Sequence, residues 1–115
     1  MTEFSLIFRN QQNPDVQFSP EQMQGILNQW RDWIGGIAAQ NKLANPGNRL
    51  DFEGAVLTSP TVITDGPYAE TKEIVSGFII VNAQNLAEAV EMAKGCPVFS
   101  AGGSVEVRSI IPMQK

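Results

Sequence analysis

The chain has 115 residues, 43% of them hydrophobic, with eight basic and twelve acidic side chains, a formal net charge of −4, one cysteine and no histidine. That length fits a single domain, residues 1–115, with a real core. Without histidine a Ser-His-Asp or Cys-His centre is excluded within one chain and a zinc site has no basis, while the lone Cys96 excludes an internal disulfide.

Glu3 to Arg9 reads as the first strand, with Phe4, Leu6 and Phe8 on one face and Ser5, Ile7 and Arg9 on the other. Asn10 to Asp15 is polar and holds Pro14, so it reads as a loop. The first helix has a full start signal. Ser19 is the N-cap, Pro20 takes the first helical position and Gln22 completes a capping box, with Phe18 and Met23 at the positions of a hydrophobic staple. Met23, Ile26, Leu27, Trp30, Trp33, Ile34 and Ile37 form its apolar stripe. Gly35-Gly36 weakens the last turns, so the helix is expected to end between Ile34 and Gln40.

Asn45-Pro46-Gly47-Asn48 reads as a turn. Residues 49–64 are harder. Arg49 to Glu53 is mixed, and Gly54 marks a turn or a bulge. Ala55 to Thr58 and Thr61 to Thr64 are β-like on either side of Ser59-Pro60, which leaves an edge strand, a bulge and a small hairpin open. Ile74 to Val81 is the clearest strand, and its alternate sets are both largely apolar: Ile74, Ser76, Phe78, Ile80 and Val75, Gly77, Ile79, Val81. Asn85 caps a second helix with Glu88 in the capping-box position. Leu86, Ala89, Val90 and Ala93 are its stripe, Gly95 suits C′, and Pro97 bars continuation. The last strand runs from Ser104 to about Ile111.

The order β-α-β-(β)-β-α-β is the split βαβ, or ferredoxin-like, pattern: an α+β fold with two helices on one face of an antiparallel sheet. An antiparallel sheet with one wet face alternates cleanly, and this one does not. A homodimer with sheets packed face to face is therefore expected. The basic residues run from Arg9 to Lys115 without a cluster, which argues against nucleic acid and against a membrane surface. No apolar run approaches the roughly 18 residues of a membrane span. The N-terminal segment lacks the basic, apolar build of a signal peptide, so a cytoplasmic location is expected.

Residues 64–73 form a Gly-Pro-centred loop with four charged side chains between two strands. Glu70 and Asp65 are the carboxylates placed to act as a general base, which requires burial to raise the pKa. The bland reading is a tight Asp65-Gly66-Pro67 turn followed by a solvated loop of Glu70, Lys72 and Glu73. Arg9, Arg108 and Lys72 are the cations placed to bind an anionic ligand, against a cross-strand ion pair of Arg108 with Glu106. Tyr68 and Trp30 are the rings placed to stack on an aromatic ligand, against ordinary core packing for Trp30 and Trp33. Cys96 follows a helix C-terminus, whose negative end raises a thiol pKa, so it reads as structural.

Thr64 to Glu73 with Gly77-Phe78 resembles the signature of the DGPF, or YCII-related, domain. Leu86 to Ala93 with Cys96-Pro97, the closing Gly103-Ser104-Val105-Glu106-Val107-Arg108 and the helix start Ser19-Pro20-Glu21 are similar to the same family. Tyr68 stands where the name-giving phenylalanine usually is. The resemblance covers most of the chain, best from residue 49 onward, and implies a ferredoxin-like dimeric α+β barrel. No cofactor is expected, and the resemblance implies little about activity. Smaller relatives carry a His-Asp pair that this chain lacks. A relative that acts on a chlorinated hydroquinone shows that the barrel hosts lyase chemistry. Other members encoded beside alternative sigma factors suggest a regulatory protein partner instead. The expected function is small-molecule binding, or lyase- or isomerase-like chemistry, in a cleft between helices and sheet, with the regulatory module as the alternative.

Overall fold

The computed structural model describes residues 1–11, 18–66 and 73–113. Its elements in chain order are β1 (Thr2–Gln11), α1 (Pro20–Ala39), β2 (Leu43–Arg49), β3 (Ala55–Ser59), β4 (Val62–Asp65), β5 (Glu73–Ala83), α2 (Leu86–Ala93), a 3₁₀ helix (Pro97–Ala101) and β6 (Ser104–Ser109). Four strands make one antiparallel sheet in the order β2-β5-β1-β6, and β3 and β4 pair only with each other. This is the expected ferredoxin-like α+β arrangement.

Period-2 alternation in the two central strands decides which side becomes the core. Phe4, Leu6 and Phe8 of β1 lie opposite Val81, Ile79 and Gly77 of β5, and Val107 and Val105 of β6 flank Leu6 and Phe8. Leu6, Ile79 and Val81 are fully buried there, each worth about 1.5–3 kcal/mol relative to exposure. Ile37 of α1, Ala89 and Ala93 of α2, and Cys96 and Val98 complete the cluster. At Phe8/Arg9 the β1–β5 register slips. Ser76 is the extra residue, and its hydroxyl donates to the Phe8 carbonyl at 3.3 Å and accepts from Asn10 Nδ2 at 2.8 Å.

The start of α1 follows its sequence signals. The Gln22 N–H donates to Ser19 Oγ at 3.1 Å, and Gln22 Oε1 accepts from the Ser19 N–H at 2.9 Å. The expected staple partners Phe18 and Met23 are both left exposed. Gly35-Gly36 does not stop the helix. Asn41 does, with φ +60, the Asn41 N–H donating to Ala38 at 2.9 Å and the Lys42 N–H to Ile37 at 3.2 Å. That is a Schellman ending with asparagine in the left-handed position.

Asn45-Pro46-Gly47-Asn48 corrects the expected turn. These residues lie inside edge strand β2, where two register shifts let Asn45 pair with Ile80 and Asn48 with Phe78. The turn chemistry is used for a bulge. Asn45 Oδ1 accepts from the Gly47 N–H at 2.7 Å, and Gly47 (φ +64) lies so close to the Phe78 carbonyl that no Cβ fits. Proline is tolerated because β2 is an edge.

The Ser59-Pro60 ambiguity resolves as a hairpin. Ser59 pairs with Val62 across Pro60-Thr61, and Ser59 Oγ accepts from the N–H groups of Thr61 and Val62. In α2 the Asn85 side chain caps the Glu88 N–H at 2.9 Å. The reciprocal half of the expected box is missing, because the Glu88 carboxylate turns to Lys42, whose Nζ lies 3.1 Å from it. Gly95 is not left-handed as expected of a C′ glycine. A Cβ there would lie 3.3 Å from the Trp33 ring.

The helix-free face of the sheet follows from the same register. Ser5, Ile7 and Arg9 point there, in rows with Ile80 and Arg108, Phe78 and Glu106, and Val75 and Ser104. Ile7, Val75, Phe78 and Ile80 form an apolar column, all partly exposed. Asn45 and Asn48 border it on the β2 side, and Glu106 and Arg108 on the β6 side.

Candidate functional site

Beside the helix-covered core, α2, the 3₁₀ helix and β6 leave a groove of about 350 Å³ lined by Leu86, Val90, Ala93, Lys94, Phe99, Val105 and Val107. Its construction is local. Leu86 and Val90 sit one turn apart on a helix of eight residues, and Ala93 turns a small side chain into the space between helix and sheet. Pro97 opens the 3₁₀ helix and left-handed Gly102 closes it, so Phe99 stands at the rim, 51% exposed. Gly103 then passes too close to the Arg9 carbonyl for a side chain, which seats β6 beside β1. Leu86 and Val90 also remain exposed.

Lys94 is the cation of this lining, one residue past the end of α2, and it pairs with Glu91 at 2.6 Å. The lining residues include no acid, hydroxyl or thiol. Such a surface suits apolar or aromatic bodies and offers one positive charge, that of Lys94.

A charged cluster lies on the opposite face of the sheet. Arg9 Nη2 reaches Glu106 Oε1 at 3.2 Å, and Arg108 Nη1 reaches Oε2 at 3.1 Å. The hydrogen bond from Arg108, then that from Arg9, hold the Glu106 carboxyl below the ordinary glutamate range. The two arginines thus converge, but on a carboxylate of the same chain. Glu106 occupies the place an anionic ligand would take between them.

The remaining candidates are dispersed. Trp30 packs edge-on against Phe8 at 4.8 Å and against Trp33 at 5.8 Å between ring centroids, and Trp33 Nε1 donates to the Met92 carbonyl at 3.1 Å. Asp65 is exposed at the base of the hairpin, next to Gly66 with φ +79, whose N–H donates to Gly54 at 2.6 Å. Glu70, Lys72 and Tyr68 lie outside the described residues. Cys96 is buried, and burial pushes its thiol up to about 11 while the Val98 N–H pulls the other way. The expected direction holds, with desolvation as the leading cause. Among the described residues no His, Cys, Asp or Glu group could hold a metal, and no helix is long and apolar enough to cross a membrane.

A cleft between helices and sheet was expected, but none of the residues that line this groove was among the expected site residues. Leu86, Val90 and Ala93 were visible as an apolar stripe. That the stripe is wider than the sheet surface beneath it depends on where Phe99 and β6 arrive.

Over 51 residues the chain is 39% identical to an uncharacterized protein of Rhizobium meliloti (strain 1021). That match covers 44% of this chain and 41% of the relative, so it spans less than half the length of either protein. The YCII-related domain matches residues 7–114. With nearly the whole chain matched, the protein belongs to the YCII-related domain family.

Proposed function

We propose that the protein is a homodimeric small-molecule-binding protein, whose groove between α2, the 3₁₀ helix and β6 takes a compact apolar or aromatic molecule with one anionic group. The groove carries this reading. Its volume of about 350 Å³ lies in the range of small-ligand sites, roughly 300–1,000 Å³. Its one cation, Lys94, is held by an exposed ion pair with Glu91, a contact worth about 0–1 kcal/mol that a carboxylate or sulfonate displaces at little cost. The lining favours binding over lyase-like chemistry, because its one functional group is Lys94, an exposed side chain in an ion pair with Glu91.

The homodimer part rests on the helix-free face. An apolar column with a polar border is the anatomy of an interface, and stacking two such faces buries it. A buried, protonated Cys96 accords with the reducing cytoplasm.

A thermal-shift screen of aromatic and aliphatic carboxylates and sulfonates tests the ligand. A binder at about 100 times its dissociation constant adds about 2.7 kcal/mol, which is several degrees for a domain of this size. The shift is expected to vanish in Val90→Glu, at an exposed groove position. A flat screen transfers the groove to the second reading, in which its exposed rim of Leu86, Val90 and Phe99 receives an apolar helix of a regulatory protein partner such as a sigma factor.

A further inference from the structure

We propose that Trp33 is a positioning residue for the groove: its indole holds the chain on both sides of Lys94 and so sets how strongly the groove prefers an anionic ligand to a neutral one of the same shape. The inference rests on the ligand-binding reading of the groove and adds a residue outside its lining. Three observations carry it.

The first is the end of α2. A carbonyl in the last turn of a helix lacks the amide four residues on that would bond it. Here the Cys96 N–H, which a longer helix would give to Met92, donates to the Ala93 carbonyl at 3.0 Å. The Met92 carbonyl receives the Gly95 N–H at 3.4 Å, longer than an ordinary hydrogen bond. Trp33 Nε1 supplies the closer donor, at 3.1 Å. A side chain of α1 thus ties down the last turn of α2 just before Lys94.

The second is Gly95. Its φ is not positive, so the backbone does not call for glycine there. Space does, because a Cβ would lie 3.3 Å from both Cδ1 and Nε1 of the indole, inside the optimal carbon contact of about 3.5–4.0 Å. The indole therefore packs on the chain directly after Lys94 as well as bonding before it. The ring is itself set by edge-on contacts with Phe8 and Trp30, both at 5.8 Å between centroids.

The third is the looseness of the Lys94 side chain. It is 65% exposed, and that of its partner Glu91 is 69% exposed. An ion pair so open to water fixes a lysine head weakly. The backbone at Lys94 then decides where the charge stands relative to the groove, and Trp33 grips that backbone from both sides. A neutral ligand, held by apolar contact with Leu86, Val90 and Val107, does not depend on it.

The test is calorimetric titration of a naphthalene sulfonate, and of the corresponding neutral naphthalene methanol, into the intact chain and its variants. Trp33→Phe removes the indole donor and keeps an aromatic ring. It is expected to weaken sulfonate binding about three- to tenfold, the order of one lost hydrogen bond, and to change the affinity for the alcohol less than about twofold. Gly95→Ala, which displaces the indole with its N–H intact, should act in the same direction, and it carries the test if circular dichroism shows Trp33→Phe unfolded. In a Lys94→Gln background Trp33→Phe should have no further effect, because its influence runs through that charge. Equal losses for the two ligands, or no loss for either, overturn the positioning role, and so does an undiminished effect in the Lys94→Gln background. An intact chain that binds neither ligand, or both equally, overturns the groove reading beneath it.

Discussion

Gly47 and Gly66 share a left-handed backbone and differ in what a side chain would meet. At Gly66 there is open space, so Gly66→Val costs only the positive-φ penalty, about 1–2 kcal/mol in a denaturant melt. At Gly47 a Cβ runs into the Phe78 carbonyl on the neighbouring strand, so even Gly47→Ala should cost about 3 kcal/mol or more. Equal costs would refute the bulge in β2. Cys96 makes a prediction of opposite character. Burial raises its folded thiol pKa to about 11, above the ordinary value near 8.5. The folded state therefore holds the proton more tightly. The stability so gained is complete below about pH 8.5 and is lost as pH rises toward 11. Alkylation at pH 8 should be slow in the native protein and fast in denaturant. Glu106 has the reverse sign. Its carboxyl is held low by Arg108 and Arg9, so its contribution is present above the ordinary glutamate value and is lost as pH falls through the folded one. Carboxyl ¹³C titration of Glu106 should show the depressed value, and Arg108→Ala should raise it.

Helix ends and strand edges separate what the sequence made legible from what it did not. Both N-caps, Ser19 and Asn85, sit where the sequence places them, because an N-cap is a local transaction between a side chain and a backbone N–H two or three residues on. The end of α1 falls at Ala39, inside the expected window of Ile34 to Gln40; packing of Ile37 into the core carries the helix past Gly35-Gly36, and Asn41 takes the left-handed position after the cap. Asn41→Gly should therefore stabilise the protein by a few tenths to about 1 kcal/mol, since glycine adopts that left-handed position without strain. Asn45 to Asn48 was misread because a turn and a bulge use the same residues, and only pairing with β5 tells them apart. Likewise, Gly95 reads as a C′ glycine in sequence, while in space it makes room for Trp33.

At the scale of the whole molecule, the sheet order follows from the succession of elements, and the sidedness of the central strands follows from alternation. The candidate site was far less legible. Arg9, Glu106 and Arg108 share a face, as period 2 requires, yet the cluster satisfies itself. The groove arises from three elements that meet only after folding, and its residues carry no motif, only apolar surface in excess of what the sheet covers. The most direct measurement is a ¹H–¹⁵N titration of the intact protein with a naphthalene sulfonate, an aromatic body with one anionic group. Binding in the groove predicts saturable shifts at Leu86, Val90, Lys94, Phe99, Val105 and Val107, abolished in Val90→Glu. Shifts confined to the Arg9–Glu106–Arg108 face, or none at all, would contradict the account.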